Sequence, residues 1–472
     1  MLRAAIPDRR NFERMRRLAF GLLTTPGRHT ITAMMEATGR ADRDWSADYR
    51  LFSRGDWNPQ DLFRSLLPSI LALRPNSTDP VIASIDDTHL KKTGRKIPGV
   101  SYKRDPMSPS FQVNLIRAQR FVHATLVVPF HPGASGCRAI PVAFDHAPSV
   151  PKPGARASDE EIARFRQQQK QQNLSVYGAT MVHRLRDDLD QAGASGQTLL
   201  IGADGGYTNK TVLTQLAPRT EFIGRIRKDA ALHSVPDAHS GLGRPRSYGA
   251  QTPTPEALRQ DDSIPWTTVT IFAAGREHDC QVKDIGPLLW RKAGCALPLR
   301  LIVVRPLAYK LTKNGRVLYR QPAYLITTAL TRDLATLIQA YVWRWEIEVN
   351  HRDEKQLIGV GQAQVRSPKS AERVPAFAVV CYSTLLLAAA HAFGIGASSP
   401  ITPLPRWLLR SADQQVRIPT TQLVTGLRNE LLASARKIDL PSFSHFARRI
   451  ERHTKCPKGV LSTADAIQFA MN

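Results

Sequence analysis

Two apolar, β-branched runs in this chain end on acids. Val81 to Ile85 leads into Asp86-Asp87-Thr88, and Thr198 to Ala203 leads into Asp204-Gly205-Gly206-Tyr207. Open α/β sheets place ligand groups at the carboxyl ends of their strands, and glycines after the acid permit a tight approach. Two such acids on neighbouring strands could share a Mg²⁺ ion through hard oxygen ligands. Each has a plainer reading alone, because Asp87 or Thr88 could simply cap a turn. Side chains alternate along a strand, so only one of Asp86 and Asp87 faces the metal side. Asp86 is preferred because it directly follows the apolar run, with Asp87 as the alternative.

A third acid comes with a stronger pattern. Tyr341, Arg344, Glu348 and Lys355 sit at offsets 0, 3, 7 and 14. At ~100° per residue these offsets fall within an arc of roughly 60°, so one helix face would carry all four, while Glu346 points elsewhere. An amphipathic helix with a polar stripe is the bland alternative, but Tyr-x2-Arg-x3-Glu-x6-Lys is a specific motif.

Several elements must position these groups. Residues 1–75 read as helical and basic, with Thr30 to Thr38 (ended by Gly39) and Trp45 to Phe52 resembling a helix-turn-helix that could bind DNA or serve only as a packing unit. Strands follow at Val81 to Ile85, Phe111 to Ile116 and Val122 to Val128. A helical segment (157–190) leads to the strand Thr198 to Ala203, then a short helix (Lys210 to Leu216) and a strand (Glu221 to Ile226). Residues 228 to 265, rich in Pro, Gly and Ser, read as a loop, after which strands resume at Thr267 to Ala273, Leu299 to Val304 and Ala323 to Thr328. One long helix is expected from about Leu334 to Leu357, and Val374 to Ala390, short and polar for a membrane span, is expected to be a buried core helix. The organisation is therefore a helical region (1–75), a core (80–227), a β-rich insertion (228–330), the rest of the core (331–395) and a basic helical C-terminal region (396–472).

Lys plus Arg number 65 against 40 Asp plus Glu, giving a net charge of +25, which favours a long polyanion, nucleic acid first, as partner. The five cysteines are scattered and support neither a disulfide framework nor a zinc site. No secretory leader pattern opens the chain, so a cytoplasmic location is expected.

The Tyr341-Arg344-Glu348-Lys355 arrangement resembles the Tyr-Arg-Glu-Lys signature of DDE-type cut-and-paste insertion-sequence transposases. Asp86-Asp87-Thr88 is similar to that family's first motif and Asp204-Gly205-Gly206-Tyr207 to its second. The resemblance spans about residues 80–360. It implies an α/β fold with an RNase H-like mixed-sheet catalytic core and a β-rich insertion between the second and third acids. It also implies that Asp86, Asp204 and Glu348 bind two Mg²⁺ ions, with Mn²⁺ as a substitute, and that Tyr341, Arg344 and Lys355 contact phosphates at the transposon end. The implied partners are terminal inverted repeats and target DNA, bound by a homodimer on paired ends. Trp345 could stack on a base or pack in the core, and Trp266 or Trp290 could receive a flipped base. Lys91 and Lys92, in a basic run, could contact the DNA backbone or merely be solvated. His89 and His351 have no partner at metal-ligand spacing in the sequence. An RNase H-like nuclease that cuts without joining, and a non-catalytic regulator descended from a transposase, are the rival readings.

Overall fold

The computed structural model describes residues 2–109, 111–131, 136–237, 244–273, 276–294, 297–309, 315–396 and 418–433. Four helices come first: α1 (Arg9–Thr24), α2 (Ile31–Ala37), α3 (Ser46–Ser53) and α4 (Pro59–Ala72). The side chains of Asp8, Thr30 and Asn58 cap α1, α2 and α4 by accepting a hydrogen bond from a first-turn backbone N–H. Gly39 takes a φ of 66° just after α2, a conformation that favours glycine. The pair α2–α3 is also a packing unit. Phe52 lies 5.4 Å edge-on to Phe377, and Arg373 donates to the carbonyl oxygens of Phe52, Gly55 and Trp57.

The next elements are β1 (Val81–Lys91), β2 (Ser101–Arg104), β3 (Leu115–Pro129), β4 (Cys137–His146), α5 (Asp159–Gln171), α6 (Leu174–Leu189), β5 (Leu199–Ala203), α7 (Lys210–Leu213) and β6 (Thr220–Arg225). β1 runs antiparallel to β3 and parallel to β5, β5 is parallel to β6, and β4 pairs with the far edge of β3. The order β4-β3-β1-β5-β6, three antiparallel strands extended by two parallel ones, is the RNase H-like mixed sheet. After it come β7 (Leu232–Ser234), α8 (Pro255–Gln260), β8 (Thr267–Ala273), β9 (Arg276–Trp290), β10 (Leu299–Val304), β11 (Ala308–Tyr309), β12 (Leu318–Tyr319) and β13 (Ala323–Thr327). β13 pairs with β6, and β10 and β9 follow outward, so the later strands prolong the core sheet. The chain then forms α9 (Leu334–Trp343), α10 (Trp345–Gln356), α11 (Pro368–Phe393) and α12 (Thr420–Ala433).

Several expected elements differ. β1 continues to Lys91 because β3 keeps pairing with it after β5 has ended. Phe111 to Asn114 lie outside any strand, and β3 starts at Leu115. The expected loop 228–265 contains β7 and α8, the latter capped by Thr254 with Pro255 in its first turn. Helix 334–357 is two helices that meet at Arg344. Of the expected C-terminal helical region, only residue 396 and residues 418–433 are described, and Cys295 and Cys456 also lie outside the described residues.

The two faces of the sheet pack differently. Ile82, Leu200 and Ile223 join Leu337, Ile338 and Ala340 of α9 in one buried cluster. Ala83, Ile85, Leu199 and Ile201 join Met181, Val182 and Leu185 of α6 in the other. α11, long and apolar enough by length and composition to cross a membrane, is 72% buried over its most apolar window and packs against β4 and α4. Gly178 on α6 lets the fully buried Tyr207 ring sit against the helix, since a Cβ there would lie 2.6 Å from that ring. Gly178→Ala should therefore destabilise the protein by about 1–3 kcal/mol of overpacking, outweighing the helix-propensity gain of about 1 kcal/mol. Chemical denaturation checks this, with a lower midpoint at unchanged slope as the expected result.

Candidate active site

Ile85 and Ala203 are the last register pair of the parallel strands β1 and β5, so Asp86 and Asp204 follow side by side. β5 stops there while β1 runs on, which opens a crevice beside Asp86. Asp204 is fixed by its own turn. The Gly206 N–H donates to its Oδ1 at 2.8 Å, and the Thr208 hydroxyl donates to its carbonyl oxygen at 2.9 Å. Tyr207 is the buried anchor of that turn, which explains an aromatic three residues after the acid.

Alternation along β1 separates Asp86 from Asp87. Ile82 faces α9, so Ser84 and Asp86 share that side, whereas Ala83, Ile85 and Asp87 face α6. The Arg344 guanidinium accordingly lies 3.8 Å from Asp86 Oδ2. Asp87 lies 3.7 Å from His89 Nε2 and within the electrostatic reach of Arg120, Asp204, Lys103 and Lys355, so it too borders the acids. Burial and the nearby Asp204 carboxylate push the Asp86 carboxyl from its usual 3.8 up to about 7.

Arg344 sits at the junction of α9 and α10, where its N–H turns back to the Tyr341 carbonyl and its carbonyl accepts from the Ile347 N–H at 3.1 Å. From there it donates to Glu348 Oε1 at 3.1 Å and stands 5.8 Å from the centre of the Tyr341 ring. One guanidinium thus links the first strand acid to the helix acid, with Tyr341 beside it. Lys355 is partly buried; burial pulls its pKa down while the carboxylates of Glu354, Asp86 and Asp87 hold it up. The break at Arg344 means that the single-helix projection does not describe the whole motif, yet all four residues still turn towards the acids.

The rear of α10 is pinned by groups that the sequence did not mark. The Asn350 amide donates to the Ala139 carbonyl of β4 at 3.1 Å, and the Tyr382 hydroxyl of α11 donates to Asn350 Oδ1 at 3.2 Å. Asp353 Oδ2 accepts from the Thr420 hydroxyl at 2.7 Å. His123, opposite Asp86 on β3, lies 5.1 Å from the His351 ring and 3.4 Å from Glu354 Oε1. Burial drives His351 down to about 3 and pushes Glu354 well above the usual carboxylate range, in each case favouring the uncharged form. His351 therefore has partners, reached only through the fold.

The remaining sequence candidates diverge. Lys92 is a correction: it is buried, and its ammonium donates to the carbonyls of Gly361 and Ala363 at 2.7 and 2.9 Å, tying β1 to the segment after α10 instead of facing DNA. Lys91 is exposed, 3.3 Å from Asp105. Trp345 is 61% exposed, so it is not a core residue. The Trp266 ring lies 4.6 Å from the Lys283 ammonium, and Trp290 walls a cleft beside Gly205 where Arg225, Lys228 and Lys292 stand with the ion pairs Arg227–Asp229 and Arg259–Glu256.

A family model described as DDE superfamily endonuclease matches residues 2–293, more than half of the chain. The chain belongs to the DDE superfamily endonucleases. A comparison with curated proteins finds no match. Membership makes the chain a nuclease-type enzyme with DNA as substrate and divalent metal as its general requirement. The match includes Asp86 and Asp204 and ends before Glu348, which the structure links to Asp86 through the Arg344 guanidinium.

The residues of this endonuclease fit such a metal. Carboxylate oxygens are the hard donors Mg²⁺ prefers, and Asp86 and Asp204 stand side by side where burial, and next the neighbouring carboxylate, raise the Asp86 pKa. Among the described residues no three His, Cys, Asp or Glu side chains are gathered closely enough to hold a metal ion by themselves, so Asp86, Asp204 and Glu348 do not form a preassembled three-carboxylate site. That suits an ion held by one or two carboxylates together with substrate phosphate. In EDTA, ionising Asp86 costs stability. The cost is absent below the unfolded value near 3.8, grows as pH rises and is complete above about 7. Asp86→Asn should therefore melt about 2–4 °C above the parent at pH 8 in EDTA, with the gap shrinking towards pH 4. Mg²⁺ should raise the melting temperature of the parent and not of the variant, as differential scanning fluorimetry would record.

Proposed function

We propose that this endonuclease is a cut-and-paste transposase that cleaves at the ends of its element and joins the 3′ ends to target DNA. The observation that carries this reading is the Asp86–Arg344–Glu348 ion-pair chain with Tyr341 and Lys355 beside it. A nuclease needs only the acids. The Tyr-Arg-Glu-Lys set adds what the transposases it resembles share.

Bound at Asp86, Asp204 and Glu348, two Mg²⁺ ions would supply activation of water or a 3′-hydroxyl and stabilisation of the leaving oxygen, with Mn²⁺ as a substitute. The chain's own residues do the positioning. Arg344 holds Glu348 towards Asp86, and with a guanidinium's five donors it has capacity left for a phosphate oxygen. Lys355, partly buried near Asp86 and Asp87, adds positive charge where phosphoryl charge develops. The basic cleft beside Asp204 carries the DNA backbone towards the acids. Exposed Lys91 extends that contact, and Trp345, exposed next to Arg344, offers a stacking face. A homodimer on paired terminal repeats, acting in the cytoplasm on nucleoid DNA, completes the proposal.

The test is a labelled duplex carrying the element's terminal repeat, incubated with target DNA in Mg²⁺ or EDTA. The parent should nick at the repeat boundary and join only in Mg²⁺, and Glu348→Ala should bind the duplex without doing either. Arg344→Lys, which keeps the charge and loses the planar fork, should lower nicking by about 10²-fold while leaving the metal-induced melting shift in place. Cleavage without joining would favour a nuclease, and binding without metal-dependent chemistry would favour a regulator.

A further inference from the structure

The first helix carries a concentration of like charge that the surrounding acids do not offset. Arg10, Arg14 and Arg17 stand at offsets 0, 4 and 7 along α1. At ~100° per residue they fall within an arc of roughly 60° on one helix face. Gly39, with its φ of 66°, turns the chain after α2, and the Arg40 N–H closes that turn on the Met35 carbonyl at 3.0 Å. Arg40 thereby comes to the same face, where Arg9, Arg10, Glu13, Arg14, Arg17 and Arg40 line an open hollow of about 490 Å³. All six belong to α1 and the turn after α2, so the hollow is separate from the acid crevice.

The acids within reach are already committed. Glu13 pairs with Arg16 at 2.8 Å, the buried Asp48 pairs with Arg17, and Asp8 caps the first turn of α1. Asp44, which feels Arg14, accepts from the Ser46 N–H and hydroxyl at 2.9 and 3.0 Å. Arg14 itself donates to the uncharged Asn11 side chain at 3.2 Å. Among the described residues Arg9, Arg10 and Arg40 have no ion pair, and the Nε atoms of Arg17 and Arg40 are buried without a hydrogen-bond partner. Burial lowers the Arg17 pKa, Asp48 raises it, and the neighbouring Arg40 and Arg14 guanidinium groups lower it further. Like charges held this close repel one another until an anion enters between them.

We infer that this arginine-lined hollow is a DNA-binding site apart from the acids, in which Arg10, Arg14 and Arg40 hold successive phosphates of a duplex. The inference rests on DNA as the substrate and does not require strand transfer. From Arg10 to Arg17 the stripe is about 10 Å long at ~1.5 Å per residue, against ~3.4 Å of axial rise per phosphate on one strand. A single phosphate ion would meet one end of it, whereas a nucleic-acid backbone meets its whole length. Guanidinium forks bond phosphate oxygens in pairs, and such contacts hold a duplex without reading its sequence. The α2–α3 pair, tied to α1 through Asp48 and Arg17, then serves to set Arg40 against α1, and α3 need not enter a groove.

The test is fluorescence anisotropy of labelled duplexes bound by the full chain in EDTA over a series of salt concentrations. It compares the parent with a variant carrying Arg10→Ala, Arg14→Ala and Arg40→Ala, and with one carrying lysine at the same three positions. Three lost phosphate contacts, at ~0.9 counterion each, should make the slope of log K against log salt shallower by about 2.7 and weaken binding about 10²-fold near ~0.15 M salt. The loss should be equal on a terminal-repeat duplex and on an unrelated duplex of the same length. The lysine variant keeps the charges and should keep the slope to within about 1 of the parent. In Mg²⁺ the alanine variant should nick at the parent's rate on saturating duplex while needing about 10²-fold more of it for half that rate. Should that variant fail to fold, Arg10→Gln alone carries the test, with a slope change of about 0.9. An unchanged salt slope would overturn the site, as would a loss confined to the terminal repeat, which would mean base reading. Arginine-dependent retention on anionic phospholipid vesicles with duplex binding intact would overturn it in favour of a membrane surface. Inorganic phosphate raising the melting temperature as much as duplex of equal phosphate content would reduce the hollow to a small-anion site and overturn it too. Failure of the parent to join DNA would count against the transposase reading alone, because binding is read without chemistry.

Discussion

The site depends on holding carboxylates together in a partly dry crevice before any metal neutralises them. Burial alone disfavours a carboxylate, and two like charges repel more strongly as water is withdrawn; Asp86, buried and beside Asp204, is raised to about 7 by burial first and by its neighbour second. Arg344 is the fold's own answer, because its guanidinium reaches both Asp86 and Glu348. A lysine could place one charge there, but a planar fork can bond two partners in fixed directions. The break between α9 and α10 falls on this residue, so the helix geometry and the charge compensation are one feature.

Everything behind α10 serves to keep that arrangement still. Asn350, Tyr382, Asp353 and Thr420 form a buried hydrogen-bonded chain from β4 through α10 to α11 and α12. The His123, His351 and Glu354 group fills the space between β3 and α10. The hydrogen-bonded chain through Asn350 and Asp353 specifies a single arrangement, whereas His123, His351 Nε2 and Glu354 Oε1 are buried without a hydrogen-bond partner, which carries a cost. The Lys92 ammonium, capping carbonyls of the segment after α10, ties the same helix to the end of β1.

How far this was legible in the sequence depends on the kind of signal. The strand acids were readable because each follows an apolar run; alternation said that only one of Asp86 and Asp87 faces the site, and the place directly after the run favoured Asp86. The Tyr-Arg-Glu-Lys set was readable from its specific spacing, although the single-helix projection that grouped it fails at the Arg344 junction of α9 and α10. Lys92 misled because a basic run looks the same whether its ammonium meets water or turns onto buried carbonyls. The continuation of β1 was hidden, since Asp-Asp-Thr-His is polar and only pairing with β3 makes it a strand. Phe111 read as strand because its hydrophobicity was taken to mean burial, while the fold leaves it in solvent. His123, Asn350 and Tyr382 gave no signal because their partners lie far away along the chain.

The most direct measurement is anomalous diffraction from crystals of the chain bound to a terminal-repeat duplex and soaked in Mn²⁺, recorded at the manganese edge. The account predicts a manganese peak contacting both Asp86 and Asp204, with Glu348 turned towards the same region and Asp87 outside it. A peak held by Asp87 and His89, or none near Asp86 and Asp204 with DNA in the crevice, would contradict it.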